Sequence, residues 1–106
     1  QIYQVALNLV MNALQNVPRG GTVDVRTIAH DGRVGFEVAD DGPGIPRDIR
    51  EIIFTPFFTR RPGGTGLGLA LVQRIVATHH GSVSVASEVG HGATFRIELP
   101  AAEATS

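Results

Sequence analysis

The stretch TVDVRTIAHDGRVGFEVAD, Thr22 to Asp40, decides the fold. Apolar and polar residues alternate through TVDVRTIA and again through VGFEVAD, the period of a strand with one buried face. Between them stands Asp31-Gly32, a dipeptide that accepts the left-handed backbone of a two-residue hairpin turn. The segment reads as an antiparallel hairpin with Val34, Phe36 and Val38 on one face. Upstream, QIYQVALNLVMNALQNV reads as a helix. Ile2, Val5, Ala6, Leu9, Ala13 and Val17 recur every three to four residues and give one apolar face, and Pro18 with RGG ends it. Downstream, Pro and Gly crowd the segment from Asp41 to Gly64, which reads as a long loop with a short helix near Asp48–Ile52. TGLGLALVQRIVATHHG then reads as a second helix, its apolar face on Leu69, Val72, Val76 and His79, stopped by Gly81. SVSVAS and ATFRIEL are two further alternating strands around a turn at Glu88–Gly92, and Ala101 to Ser106 is a polar tail. Two amphipathic helices over a largely antiparallel sheet make an α+β two-layer sandwich.

The bulk numbers bound the function. A length of 106 residues is one domain's worth, with one core. Hydrophobic residues make up 42%, charged residues 18%, and the formal net charge is -1, an ordinary globular balance rather than the basic one of a nucleic-acid binder. There is no cysteine, which excludes disulfides and thiol chemistry. No apolar run is long enough to span a membrane, and no signal peptide is visible. The chain opens on Gln1, already inside a helical pattern, so it is expected to be a piece of a longer protein.

Three features carry chemistry. On a wheel of about 100° per residue, Gln1, Gln4, Asn8, Asn12 and Gln15 fall within roughly 80°, with Asn16 at the edge. A solvated helix face usually carries Lys and Glu. This one carries neutral amides, including asparagines that disfavour helix. Either it is an uncharged solvent face, or it turns amide oxygens and donors toward a ligand. An asparagine oxygen is a hard ligand suited to Mg²⁺, which keeps several waters and leans on nucleotide phosphates. Second, Asp40 ends a strand and runs into Gly42-Pro43-Gly44. These are turn residues in any case, but a strand-end carboxylate also suits an exocyclic amine such as that of adenine, and the glycines let a planar ring approach. Third, Gly63, Gly64, Gly66 and Gly68 lead into the second helix. Free N–H groups and the dipole at a helix start favour anions, glycine removes the Cβ from their path, and Arg60 and Arg61 stand ready to neutralise phosphate. No Lys-[ST] follows the glycines as in a P-loop, and no strand immediately precedes them as in a dinucleotide fingerprint.

In this order the motifs resemble the catalytic, ATP-binding domain of bacterial sensor histidine kinases. NLVMNAL (Asn8–Leu14) resembles the N box, DDGPGI (Asp40–Ile45) the G1 box, FTPFFTRR (Phe54–Arg61) the F box and GGTGLGLAL (Gly63–Leu71) the G2 box, while GHGATFRIELP resembles the closing strand. The resemblance covers nearly all of residues 1–100, and the boxes look closest to the nitrogen-regulation type. It implies the Bergerat-type (GHKL) ATP-binding fold, a mixed, mostly antiparallel sheet with helices on one face, here expected to lack the strand that precedes the first helix and so to expose a sheet edge. It implies ATP and Mg²⁺ as ligands. Asn12 would hold the metal, with Asn8 nearby on the same face. Asp40 would take the adenine amine, with Gly42, Gly44 and Ile45 close to the ring. Thr65, Gly66, Leu67, Gly68 and Leu69 would border the phosphates. A basic or tyrosine side chain often follows the second Asn in the family. Gln15 and Asn16 stand there instead, which shifts the charged contact to Arg60 and Arg61. The long loop would be a lid.

The resemblance further implies a cytoplasmic module that serves a dimerisation domain carrying the phosphoacceptor histidine and, through it, a response regulator. No catalytic histidine is expected here: His30 lies in the hairpin, His79 and His80 end the second helix, and His91 lies in a turn. A rival reading is an ATP-hydrolysing switch like the related gyrase, mismatch-repair and chaperone ATPases. Those carry Glu where Asn8 stands, and an amide is no general base at neutral pH. A third reading is a partner-binding module that has lost its nucleotide.

Overall fold

The computed structural model describes residues 2–18, 20–55 and 68–101. Its elements run α1 (Ile2–Asn16), β1 (Val23–His30), β2 (Arg33–Asp40), a single 3₁₀ turn (Arg47–Ile49), α2 (Gly68–Thr78), β3 (Ser82–Ser87) and β4 (Ala93–Pro100). The hairpin forms as its sequence dictates. Asp31 and Gly32 have φ of 50° and 75°, the left-handed pair of a type I′ turn, and they fix the register His30↔Arg33 through Val23↔Asp40. The strand order is β1-β2-β4-β3. All three pairings are antiparallel, so the mixed character expected of the sheet is absent from the described residues. β4 lies between β2 and β3, which is why its burial alternates cleanly: Ala93, Phe95, Ile97 and Leu99 are buried, and the residues between them are half-buried.

Both helices cover the face that carries those side chains. Val5, Leu9 and Ala13 of α1 meet Val72, Ile75 and Val76 of α2 above Val38, Phe95, Ile97 and Leu99. Burying a side chain such as Leu9 stabilises the fold by about 1.5–3 kcal/mol. Of the apolar face expected for α1, Ile2, Ala6 and Val17 are only partly buried. On α2, Ile75 joins the core beside the expected Val72 and Val76, and Leu69 and His79 are half-buried.

The end of α2 refines one expectation. Gly81 N–H donates to Val76 O and His80 N–H to Ala77 O, the paired bonds of a Schellman motif. The left-handed residue that closes the helix is therefore His80 (φ 60°), with Gly81 one step beyond it. The expected short helix at Asp48–Ile52 is the 3₁₀ turn, continued by single turns to Ile53.

β1 is an edge. It pairs only with β2 among the described residues, and Val25, which faces the helix side, is 54% exposed because α1 does not reach over it. The outward side of α1 is also apolar and open, with Tyr3, Leu7, Met11 and Leu14 exposed. The opposite face of the sheet carries ions. Arg96 bridges Glu37 (3.1 Å) and Glu98 (2.8 Å), and Arg33 and His30 also reach Glu98. Desolvation pushes the Glu98 carboxyl up, but the hydrogen bond and charge of Arg96, with the charge of His30 and the hydrogen bond from Arg33, outweigh it and hold the group below its ordinary range. This network ties β1, β2 and β4 together on the face away from the helices.

Candidate functional site

Strand parity aims the site. Residues 34, 36, 38 and 40 of β2 share one face, so Asp40 points to the helix side with Val38. Its partner in β4 is Ala93, and Ala93 and Phe95 point the same way. The C-terminal end of α1 lies above them. A shallow, open cleft lies there, lined by Asn16, Asp40, Pro43, Gly44, Ile45, Ala93 and Phe95. Its floor is apolar, and Phe54 packs edge-on against Phe95 with ring centroids 6.1 Å apart.

Asp40 is only half satisfied. Its Oδ1 accepts the Gly42 N–H at 2.9 Å, and its other oxygen has no hydrogen-bond partner among the described residues. The adjacent Asp41 does different work. It accepts the N–H and hydroxyl of Thr22 (2.9 and 3.2 Å) and ties the turn before β1 to the end of β2. The turn after Asp40 needs its glycines. Gly44 has φ +79°, and a Cβ there would meet Glu88 O at 2.5 Å. A Cβ on Gly42 would meet the Asn16 backbone oxygen at 2.7 Å, so the turn reaches the end of α1 only because Gly42 has none.

The amide stripe of α1 divides. Asn8, Asn12 and Asn16, spaced four apart, are half-buried along the border between core and solvent, whereas Gln4 and Gln15 are exposed. Of these amides Asn16 alone is among the residues lining the cleft. The Asn8 Nδ2 atom is buried without a hydrogen-bond partner. A buried amide left unmade costs about 1–3 kcal/mol, so α1 carries an unmet donor on the face where a ligand was expected. Gly68 and Leu69 open α2, Gly68 exposed with open space where a Cβ would sit. Arg60, Arg61, Thr65, Gly66 and Leu67 lie outside the described residues, as do Gln1, Gly63 and Gly64. So do most of the F box and part of the expected lid.

Ala93, Phe95 and Pro43 are cleft residues that the sequence reading did not assign. The pairing Asp40↔Ala93 spans more than fifty residues of chain, so no local pattern places Ala93 and Phe95 beside Asp40, whereas Pro43 lies in the turn that follows it. The alternation of ATFRIEL marked Ala93 and Phe95 as inward-facing, and that was the available signal. Two of the histidines are engaged outside the cleft. His79 Nδ1 lies 3.0 Å from Ile75 O at the end of its helix, and His30 belongs to the outer ionic network.

A strand-end carboxylate over an apolar slot, beside a helix face of amides, under two helices on an antiparallel sheet, defines a small α+β ligand-binding domain with one polar anchor per end of its site. The chain belongs to the histidine kinase-, DNA gyrase B- and HSP90-like ATPase family, whose model matches residues 1–103. It is 44% identical over 100 residues to the sensor histidine kinase ZraS of Escherichia coli (strain K12), across 94% of this chain and 22% of that protein. It is 45% identical over 115 residues to the sensory histidine kinase/phosphatase NtrB of Rhodobacter capsulatus, across 96% and 32%. These near-equal identities do not single out the nitrogen-regulation type. Among solved structures, full-length ShkA in complex with AMPPNP superposes with a TM-score of 0.86 at 43% identity, covering 93% of this chain and 21% of that one. The chain thus spans less than a quarter of the length of curated relatives such as ZraS.

Proposed function

We propose that this domain binds ATP with Mg²⁺ and presents the γ-phosphate to a histidine on a separate dimerisation domain of its parent protein. The observation that carries the reading is the Asp40 oxygen, at the edge of the cleft, that has no partner among the described residues. The carboxylate accepts a hydrogen bond from the adenine amine while the ring lies against Ala93, Phe95 and Ile45. Gly44 stands with Ile45 in the wall beside the ring. The phosphates extend along α1 toward Asn8 and Asn12 and the start of α2, where Gly66, Gly68 and the arginines of the loop complete their surroundings.

The residues fit the metal. Among the described residues no cluster of three His, Cys, Asp or Glu side chains could hold one, so a carboxylate cage is not on offer. The half-buried Asn12 amide oxygen is a hard neutral donor, and the unpartnered Asn8 amide beside it marks that face as built for something absent from the fold itself. A metal that takes most of its ligands from phosphate oxygens and water needs no more from the protein. When bound, Mg²⁺ neutralises charge on the phosphates. The chain's own part is to hold the nucleotide and exclude water from the γ-phosphate, the positioning role that dominates phosphoryl transfer. In the transfer, the bond from the γ-phosphorus to the bridging oxygen breaks, ADP leaves, and an imidazole nitrogen of the acceptor takes the phosphoryl group. Asn8 cannot remove a proton from water, which favours transfer over hydrolysis.

As a module that consumes ATP, it is placed in the cytoplasm, with a response regulator as the onward acceptor. Supplying the chain with a histidine-bearing dimerisation domain and labelled ATP–Mg²⁺ tests the reading. Acid-labile phosphate on that domain is expected. ATP binding without any transfer would leave a nucleotide-binding regulatory module instead.

A further inference from the structure

We infer that Arg50 is a positioning residue that fixes the base-facing wall of the cleft without touching the base, an inference that rests on the nucleotide reading above. The wall, Gly44 and Ile45, belongs to no helix or strand. It is held from outside. Arg50 Nε donates to Ile45 O at 3.0 Å, and its Nη2 donates to Ser87 O at the end of β3. The Ser87 hydroxyl accepts the Ile45 N–H at 2.7 Å and donates to Gly92 O at 3.0 Å. Ile45 is therefore gripped at both its N–H and its C=O, and the two grips meet at Ser87. A third strut, Gly90 N–H to Pro43 O at 2.8 Å, ties the other side of the turn to the β3–β4 hairpin.

Three elements thus brace the Pro43–Ile45 turn, two of them on Ile45 itself and the third through Pro43 and Ser87. The segment after the 3₁₀ turn contributes Arg50, β3 contributes Ser87, and the β3–β4 turn contributes Gly90 and Gly92. The guanidinium is suited to this because its planar fork of donors engages two carbonyl oxygens at fixed separation. Nothing else Arg50 does is visible among the described residues: it makes no ion pair there and lines no part of the cleft. Its two bonds are charge-assisted and half-buried, the class whose loss is felt. Without them Ile45 keeps one bond to Ser87, and its carbonyl side is held less firmly against Asp40 and Ala93, which are fixed by the sheet.

Arg50→Met keeps the length of the side chain and removes both donors; Arg50→Lys keeps the charge but reaches only one carbonyl. The first readout needs no ligand. Backbone amide exchange at Gly44, Ile45 and Gly90 in Arg50→Met should accelerate by about tenfold or more, while Val38 and Ile97 in the sheet exchange as in the wild type. The second readout separates base from phosphate. Affinity for adenosine and for ATP–Mg²⁺ should fall together by about tenfold, affinity for tripolyphosphate should not change, and Arg50→Lys should lie between Arg50→Met and the wild type. Unchanged exchange at Ile45, or an equal loss for tripolyphosphate, overturns the inference. If the wild type binds neither ATP nor adenosine, the nucleotide reading fails, and the exchange data alone still decide whether Arg50 holds the wall.

Discussion

The two parts of the proposed nucleotide site, the cleft itself and the asparagine face of α1 that extends from Asn16, are built in opposite ways. At the Asp40 end, backbone and side-chain groups are bonded before any ligand arrives: Gly42 to Asp40, Ile45 to Ser87 and Arg50, Gly90 to Pro43. At the α1 end, the asparagines stand in a row with little to hold, and Asn8 Nδ2 is buried with no partner. The first end spends its hydrogen bonds on shape and leaves a single carboxylate oxygen open. The second leaves its polar groups open and takes its shape from a helix. A rigid aromatic base rewards a preformed slot, because little entropy is then lost on docking. A flexible, highly charged triphosphate with its metal rewards donors and acceptors left unpaired until it arrives. The difference is thus a statement about which part of a nucleotide goes where.

The sharpest way to break the comparison is Asp40→Asn. Asn can still accept from Gly42, but its NH₂ group turns a donor toward the donor of the adenine amine. Affinity for ATP and for adenosine alike should fall by about a hundredfold, measured by competition with a fluorescent nucleotide, with no large change in melting temperature. A loss confined to ATP would place the base elsewhere. Next in size is Asn12→Ala. It should cost about tenfold in ATP–Mg²⁺ affinity and remove most of the difference between titrations with and without Mg²⁺, while adenosine binds as before. Asn8→Leu exchanges an unpartnered buried amide for an apolar group of similar size. It should leave the ligand-free protein as stable or up to about 1 kcal/mol more so in urea melts, yet weaken ATP several-fold. A variant both less stable and unaffected in binding would show that the amide serves the fold. The smallest effect belongs to Gln15→Ala, because Gln15 is exposed and is not among the residues lining the cleft. Its ATP affinity should stay within about twofold of the wild type, in the range of an ordinary surface change.

What the sequence disclosed follows from how local each feature is. The hairpin was legible because alternation and Asp31-Gly32 are signals carried by neighbouring residues, and Asp40 was legible because it ends that alternation beside obvious turn glycines. The amide row was legible as a breach of helix composition. Which of its members face the site was not, because the tilt of α1 on the sheet, set by Val5, Leu9 and Ala13 against Val38 and Phe95, separates the asparagines from the exposed glutamines. The strand order β1-β2-β4-β3 could not be read from local pattern. It brings Ala93 beside Asp40 and leaves β1 at an edge. Arg50 and Ser87 were invisible for the same reason. Each is an unremarkable residue in its own segment and acquires a role only where three distant segments meet. The stop at Gly81 was legible, but that His80 takes the left-handed position just before it was not.

The measurement that bears most directly on the account is calorimetric titration of the chain with adenosine and, separately, with ATP–Mg²⁺. The account predicts that adenosine alone binds saturably at the preformed end, that ATP–Mg²⁺ binds at least about tenfold more tightly by adding the α1 end, and that each ligand displaces the other. A folded chain that binds ATP–Mg²⁺ but shows no saturable site for adenosine, or that binds neither, would contradict it.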